Sequence, residues 1–480
     1  MAWLWTTVLA ANYLVAIFVI ASILRRRKEP MAMLAWIFAI LLAPFAGWML
    51  YWLIGSTRIH RKAHRRRKRI AHLVKRVRRH THERARDGEG AAIERLPSDL
   101  ATVERMTRRL LGVPATSGNE VRVYEEANAT YYALEEAIRE ARECIHLEYY
   151  VWQPDATGRH FRDLLVEKAK SGVRCRLLLD AVGSWRIGKS FTQPLIDAGG
   201  QVAFFLSVNP LRKRWSINLR NHRKIAVIDG SVAFMGSQNI GDEYLGRLKR
   251  LSPWRDTHMR VIGPAVLFLQ QTFVEDWLFA TGENLSGAEL FPEPRRPGGS
   301  LLQTVATGPD QDVRVLEQIV FAAVSTASDS IQIETPYFVP GTGLRMALTH
   351  AAYRGVRVRI VLPTRHDHPV VLWAGRSFYG ELLQAGVEIY EYDAGVVHSK
   401  IITVDDRWCM LGSANMDVRS FRLNFEVTAL IYDARVAIEL SRSIDRDVSR
   451  SRRIGLEDVR ARKLHEQLIE GAARILSPLL

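Results

Sequence analysis

The sequence predicts an α/β protein in which two tandem α/β units lie side by side as a pseudo-dimer, behind an N-terminal two-helix membrane hairpin. Three observations carry this expectation. Two long uncharged stretches open the chain; beyond residue 110 the sequence repeats itself; and within each repeat short β-branched runs alternate with amphipathic stretches. The expected divisions are residues 1–56 for the hairpin, 57–110 for a basic juxtamembrane segment and linker, 111–300 for the first repeat and 301–480 for the second.

The first uncharged stretch, Leu4 to Leu24, matches the ~20 residues a helix needs to cross a bilayer core. A second runs from Met31 to Ile54, broken by Pro44 and Gly47. A cleaved signal peptide fits poorly, because "MAWLW" offers no basic leader and a second apolar stretch follows at once. The dense Lys/Arg cluster from Arg58 to Arg69 places that end, and both repeats, in the cytoplasm by the positive-inside rule. The intervening "RRRKEP" opposes the rule, since a full hairpin leaves its four positive charges outside. Either the hairpin does not cross fully or the downstream cluster overrides it.

Charge narrows the partner. The formal net charge is +16, but residues 1–90 hold 18 Lys/Arg against four acids, leaving 49 bases and 47 acids for the other 390 residues. A nucleic-acid enzyme spreads basic charge over its catalytic surface; here the excess sits beside apolar spans, so the expected partner is an anionic membrane surface, with no nucleic acid. Cys144, Cys175 and Cys409 lie far apart in strand-like runs and read as reduced core residues.

The repeat is explicit. "ECIHLEYYVWQPDATG" from Glu143 matches "DSIQIETPYFVPGTG" from Asp329, "KSGVRCRLLLD" from Lys170 matches "YRGVRVRIVLP" from Tyr353, and "LIDAGGQVAFF" from Leu195 matches "LLQAGVEIYEY" from Leu382. Glu148 stands opposite Glu334. "YYALEEAIREARE" and "VLEQIVFAAVSTA" have helical spacing, as does the C-terminal "LEDVRARKLHEQLIEGAARILSPLL", which is expected to pack on the second repeat.

The chemistry is expected where "NHRKIAVIDG" and "VHSKIITVDD" recur. A strand-like run there puts His222 and Lys224 on one face, and likewise His398 and Lys400. Asp229 and Asp405 fall on the opposite parity at the strand end and read mainly as structural. Fourteen residues after each histidine comes a Gly-Ser turn, "GSQN" with Ser237 and Asn239 and "GSAN" with Ser413 and Asn415. Asp256 and Glu426 follow, as carboxylates able to orient a histidine. A phosphodiester needs fixed cations (Lys224, Lys400), neutral donors (Asn239, Asn415), a nucleophile and a general acid near neutral pH. Histidine fills both last roles, so two are required, and a two-histidine site forms only where the repeats meet.

These residues resemble the signature of the phospholipase D superfamily, H-x-K-x4-D followed by a Gly-Ser turn, matched by His222, Lys224, Asp229 and by His398, Lys400, Asp405. "NLRNHRKIAVIDG", "FMGSQNIGDEYLG", "ETPYFVP" and "GSANMDVRSFRLNFE" behind a two-span N-terminus are more narrowly similar to bacterial cardiolipin synthases, over essentially the whole chain. The resemblance implies a multi-pass protein of the bacterial inner membrane. It also implies phosphatidyl transfer with no metal and no cofactor, from one phosphatidylglycerol to another, giving cardiolipin and glycerol. In that family pattern His222 is the nucleophile and His398 the acid and base. The runner-up is hydrolysis to phosphatidic acid, since acceptor choice depends on pocket shape and water exclusion. Asp256 opposite Glu426 is an asymmetry able to separate the two histidine roles. The sequence leaves the oligomeric state open.

"NPLRKRWSINLRNHRK" offers Arg212, Lys213, Arg214, Arg220 and Arg223 as a headgroup grip or a solvated loop. His366 and His368 lack further ligands at metal spacing.

Overall fold

A computed structural model describes residues 2–25, 30–51, 74–85, 93–206, 218–248, 252–311, 314–365 and 368–476. The chain divides into two compact units, one holding the N-terminal helices and the other both repeats. The core of the Arg58–Arg69 cluster, Arg212 to Trp215 and His366 lie outside the described residues.

In the first unit α1 (Ala2–Leu24) is uncharged throughout, and its Trp5–Leu24 portion is the one described helix long and apolar enough to cross a membrane. The second apolar stretch is helical in two pieces. It forms α2 (Pro30–Leu42) and α3 (Pro44–Leu50), interrupted at Ala43, because Pro44 lacks an amide proton and biases the residue before it away from helical geometry. The three helices pack on one another through Ala16, Ile23, Ile40 and Tyr51. Trp48 donates its indole proton to Asn12 at 2.8 Å, pairing the two polar side chains. A Cβ on Gly47 would stand 2.4 Å from the Ala39 carbonyl oxygen, so the fold back onto α2 needs glycine there.

In the second unit the first repeat supplies β1 (Thr116–Tyr124), β2 (Cys144–Tyr149), β3 (Arg174–Asp180), β4 (Gln201–Phe205), β5 (Arg220–Asn221), β6 (Ile225–Ile228), β7 (Val232–Gly236), β8 (Trp254–Arg255) and β9 (His258–Ile262). The second repeat supplies β10 (Ser300–Thr307), β11 (Ser330–Glu334), β12 (Phe338–Val339), β13 (Arg357–Pro363), β14 (Glu388–Tyr392), β15 (Val396–Val397), β16 (Ile401–Val404), β17 (Trp408–Gly412), β18 (Met416–Asp417), β19 (Asn424–Tyr432) and β20 (Ser451–Ile454). Most of these join one sheet. Outward from β1 the order is β9, β7, β6, β2, β3, β4; outward from β10 it is β19, β17, β16, β11, β13, β14, β20. The two orders mirror each other except that β20 at the outer edge of the second has no counterpart in the first, and β1 meets β10 antiparallel, with Thr116 opposite Leu302 and Asn119 opposite Ser300. The repeat seen in the sequence is therefore a two-fold axis in the sheet.

Helices cover both faces. Ala265–Thr281 and Ala434–Val448 lie over the join, in a core that mixes Ile225, Val261 and Leu269 with Ile401, Leu411 and Val427 from the other repeat. Ala127–Glu140 buries Ala127, Tyr131, Leu134 and Ile138 at helical spacing on the opposite face of the first repeat, and Val315–Thr326 does the same for the second. Ser98–Leu111, in the stretch read as linker, adds Leu100 and Val103 to the second repeat's core, and Asp99 pairs with Arg407 at 2.8 Å. The C-terminal helix Leu464–Leu476 packs on Pro369–Arg376 of the second repeat. The described end of the basic tract, residues 74–85, is a helix with Val77, Thr81 and Ala85 buried. It pairs Arg78 with Glu275 at 3.2 Å and sets His82 against Phe268, so one face of this portion packs on protein while Lys75, Arg76 and Arg79 stay exposed. The three cysteines are buried and unbridged.

Candidate active site

The strand after each histidine starts later than its sequence suggests. β6 begins at Ile225 and β16 at Ile401, leaving His222 to Lys224 and His398 to Lys400 as short connections. Those connections run from β5 and β15, two-residue strands that cross into the other repeat. β5 pairs in parallel with the start of β19, Asn221 opposite Phe425; β15 pairs in parallel with β8, Val397 opposite Arg255. The ladder then closes on each histidine, whose amide donates to the Phe425 carbonyl (His222, 2.9 Å) or the Arg255 carbonyl (His398, 2.7 Å).

One residue further along each partner strand is a carboxylate, so each repeat's acid serves the other repeat's imidazole. His222 Nδ1 lies 3.0 Å from Glu426 Oε2, and His398 Nδ1 lies 2.9 Å from Asp256 Oδ2. Burial alone would raise both carboxyl pKa values, but the facing histidine and the nearby lysine charges reverse this and hold both below the usual carboxylate range. An ionised carboxylate only accepts, so Nδ1 carries the proton in each ring and the lone pair of a neutral ring sits on Nε2.

Further donors fix the acids. Ser237 donates to Asp256, and Ser413 Oγ donates to Glu426 Oε2 at 2.5 Å. Trp254 Nε1 donates to Asp256 Oδ2 at 3.1 Å, whereas Asn424 Nδ2 donates to Glu426 Oε1 at 3.1 Å. The glycine before each serine permits the crossing. A Cβ on Gly412 would come within 2.3 Å of the Val427 carbonyl oxygen, and one on Gly236, at φ 153°, within 2.7 Å of His258.

Lys224 Nζ donates to the His222 carbonyl at 2.7 Å and Lys400 Nζ to the His398 carbonyl at 2.6 Å; Lys400 also lies 3.1 Å from His398 Nε2. Burial pushes Lys224 well below its ordinary value, with the Glu426 charge opposing and the Lys400 charge adding to the shift, so the two buried lysines act on one site. His222 is lowered to about 4, first by burial and then by Lys224 and Lys400 against the opposing pull of Glu426; it is a neutral imidazole at pH 7. Asn239 Oδ1 accepts from the Val151 backbone amide at 3.1 Å, and Asn415 is buried with its backbone N–H donating to Ser420 Oγ at 3.0 Å.

Asp229 and Asp405 lie at the other end of β6 and β16. Each has a left-handed backbone, φ 51° and φ 53°, and each carboxylate accepts three backbone amides. Asp229 takes those of Arg142, Glu143 and Cys144, and Asp405 those of Ser328, Asp329 and Ser330, at 2.7 to 2.9 Å. They tie the motif strands to the starts of β2 and β11.

Asp276, Asp447 and Arg255 escaped sequence reading, and Glu148, Glu334 and Arg223 were singled out there without these pairings. Buried Glu148 and Asp276 share Arg223, which also donates to the carbonyls of Glu426 at 3.1 Å and Thr307 at 2.9 Å. Buried Glu334 and Asp447 are matched by Arg255, 3.0 Å from Asp447 and 2.6 Å from the Asp256 carbonyl. Burial first, then the neighbouring acid, raises Glu148 well above its ordinary value and Glu334 to about 8. The rings of Tyr150 and Trp254 stand 4.8 and 5.0 Å from His222 and His398. The signal for the arginines was their place in the chain, one residue after His222 and one before Asp256.

A two-fold α/β sheet with a histidine, lysine and asparagine from each half, each histidine backed by a buried acid, defines a two-repeat phospholipase D-type enzyme. The family model described as cardiolipin synthase, PLD-like domain, matches residues 134–249 and 320–448, and the phospholipase D-nuclease N-terminal model matches residues 14–56. The chain is 37% identical to a cardiolipin synthase of Alkalihalophilus pseudofirmus over 100% of its length and 95% of the relative's. It is 38% identical to one of Geobacillus sp. over 97% and 92%, and 37% identical to the major cardiolipin synthase of Bacillus subtilis over 98% and 97%. A solved phosphatidylserine synthase of Haemophilus influenzae shares the fold, with TM-score 0.61 and 14% identity over 79% of this chain and 100% of that one. The chain belongs to the cardiolipin synthase family, and it is a phosphatidyltransferase.

Proposed function

We propose that the protein joins two phosphatidylglycerol molecules into cardiolipin and glycerol through a phosphohistidine on His222. The observation that carries this reading is the exchange of carboxylates across the two-fold axis, which leaves the lone pair of neutral His222 on Nε2. Nε2 attacks the phosphorus of the donor lipid, and the phosphorus–oxygen bond to the headgroup glycerol breaks as protonated His398 gives that oxygen a proton. His398 then takes a proton from the terminal headgroup hydroxyl of the second phosphatidylglycerol. That oxygen attacks the phosphohistidine, and the phosphorus–nitrogen bond breaks. Lys224 and Lys400 neutralise the non-bridging oxygens, with Asn239 and Asn415 as neutral donors. Asp229 and Asp405 act by holding the motif strands.

The N-terminal unit is proposed as a multi-pass anchor in the bacterial cell membrane, with both repeats in the cytoplasm. The apolar length of α1 and the Lys/Arg cluster after the second apolar stretch support this.

The test is to incubate detergent-purified protein with phosphatidylglycerol vesicles and identify products by mass spectrometry, with His222→Ala as control. Cardiolipin with released glycerol supports transfer. Phosphatidic acid alone would make water the acceptor.

A further inference from the structure

The transfer proposed above brings two phosphodiesters to one site. One reacts over Lys224 and Lys400. The other belongs to the acceptor lipid, keeps its negative charge throughout, and requires cations of its own. The two-fold axis shows where the halves of the site differ in charge. Two residues before His222 stands Arg220; two before His398 stands Val396, which is buried and apolar. Seven residues after Gly412 stands Arg419; seven after Gly236 stands Glu243. The His222 side thus carries two arginines where the His398 side carries a valine and a glutamate.

The fold brings these arginines together from different repeats. Arg220 on β5 is the register partner of Asn424 on β19. Arg419 sits on the turn Val418–Arg422 that leads into β19, with its carbonyl accepting the Leu423 amide at 2.8 Å. Both arginines are half-buried. Arg220 is next to Asn221, whose amide donates to Asp180 Oδ2 at 2.8 Å, and close to Tyr150, the ring stacked edge-on against His222 at 4.8 Å. Burial lowers the Arg220 pKa first, Asp180 and Tyr150 offset this, and the Arg419 charge lowers it further. Arg220 on β5 and Arg419 on the turn before β19, the partner strand of β5, thus lie on elements that meet beside His222, where both positive charges can face one anion.

We propose that Arg220 and Arg419 form the subsite for the phosphodiester of the acceptor phosphatidylglycerol, beside the Tyr150–His222 pair. The proposal rests on the transfer reading and adds which lipid the pair holds. A bound acceptor phosphate fixes the incoming headgroup hydroxyl and selects a phospholipid over water or a neutral alcohol.

The experiment gives full-length protein phosphatidylglycerol vesicles with and without ethanol, an acceptor that carries no phosphate. Cardiolipin and phosphatidylethanol are counted separately. Arg220→Gln and Arg419→Gln are expected to lower cardiolipin formation about tenfold while phosphatidylethanol formation stays within about twofold, and Arg220→Lys to recover part of the loss. Glu243→Gln, on the opposite half, should leave the product ratio alone. Parallel loss of both products in the arginine variants would assign the pair to the donor lipid or to folding and overturn the proposal, as would an unchanged ratio. If the unaltered protein makes phosphatidylethanol and phosphatidic acid but no cardiolipin, the transfer reading itself fails. An unchanged ratio alongside normal cardiolipin synthesis sinks only the subsite.

Discussion

His222 and Glu426 are 204 residues apart in sequence and 3.0 Å apart in the fold, and His398 and Asp256 repeat the relationship across the same axis at 2.9 Å. Neither repeat pairs its motif histidine with an acid of its own Gly-Ser block. The reactive arrangement therefore depends on the crossings of β5 and β15, and pairing of the two repeats is a condition of chemistry as well as of stability.

Replacing Glu426 by Gln tests the orientation directly. The glutamine amide either donates to Nδ1, which moves the ring proton to Nε2 and removes the attacking lone pair, or accepts from it without stabilising a positive ring. Phosphatidylglycerol turnover by Glu426→Gln should fall about a hundredfold or more with KM little changed. Asp256→Asn should show a comparable loss through His398. Initial rates by mass spectrometry at saturating lipid decide it; a loss confined to KM would remove the orienting role.

Trp254 supplies one of the four donors that Asp256 accepts, the others being His398, Ser237 and the Thr257 amide. Trp254→Phe keeps a ring beside His398 and deletes the indole donor. Losing one hydrogen bond to a charged acceptor, about 1 kcal/mol as it acts on the barrier, predicts a fall in kcat of about fivefold. A shift in the pH profile should accompany it, because Asp256 is then less strongly held ionised; an unchanged profile with unchanged kcat would leave Trp254 as packing alone.

Asp405 is expected to behave differently from its motif partners. Its carboxylate accepts the amides of Ser328, Asp329 and Ser330, and its backbone is left-handed at φ 53°. Asp405→Asn retains a residue tolerant of that conformation but loses the negative charge and part of the acceptor capacity, at a cost of about 2 kcal/mol. The variant should melt several degrees lower while the surviving folded enzyme keeps its pH profile. A large loss of kcat at unchanged melting temperature would instead bring Asp405 into the chemistry.

What the sequence made legible follows from repetition. The two motif copies, the matching Gly-Ser turns and the alternation of β-branched runs with amphipathic helices announce two α/β units and a shared site. What stayed hidden is carried by segments too short to have a period. β5 and β15 are two residues each, and nothing in "RN" or "VV" says that they pair with the other repeat. Asp256 and Glu426 were recognisable as orienting acids, but which histidine each serves depends on that pairing. Arg223 looked like a member of a basic run and is buried between carboxylates, and Arg255 likewise sits among Asp447, Glu125 and Glu334, a property of three-dimensional neighbours alone. The break in the second apolar stretch was legible as Pro44 and Gly47, but that the chain continues as two packed helices, Pro30–Leu42 and Pro44–Leu50, was not.

The pH dependence separates chemistry from folding. His222 at about 4, His258 at about 4 and His146 at about 3 are all lowered, burial being the largest cause in each. All three ionise near 6.5 when exposed, so between pH 6.5 and about 4 the unfolded chain binds more protons than the folded one and stability rises with pH. Their contribution is complete above pH 6.5 and is lost as pH falls toward the folded values, at about 2 kcal/mol per histidine between pH 6.5 and 5. Melting temperature should therefore drop steadily on acidification across that window. The nucleophile follows another course, because folded His222 stays neutral until about pH 4. Single-turnover formation of the His222 adduct, measured before unfolding sets in, should hold nearly constant from pH 7 to 5, while prolonged incubation at pH 5 inactivates. If adduct formation instead falls with a midpoint near 6.5, His222 is solvated in the working enzyme and the buried, neutral nucleophile is wrong.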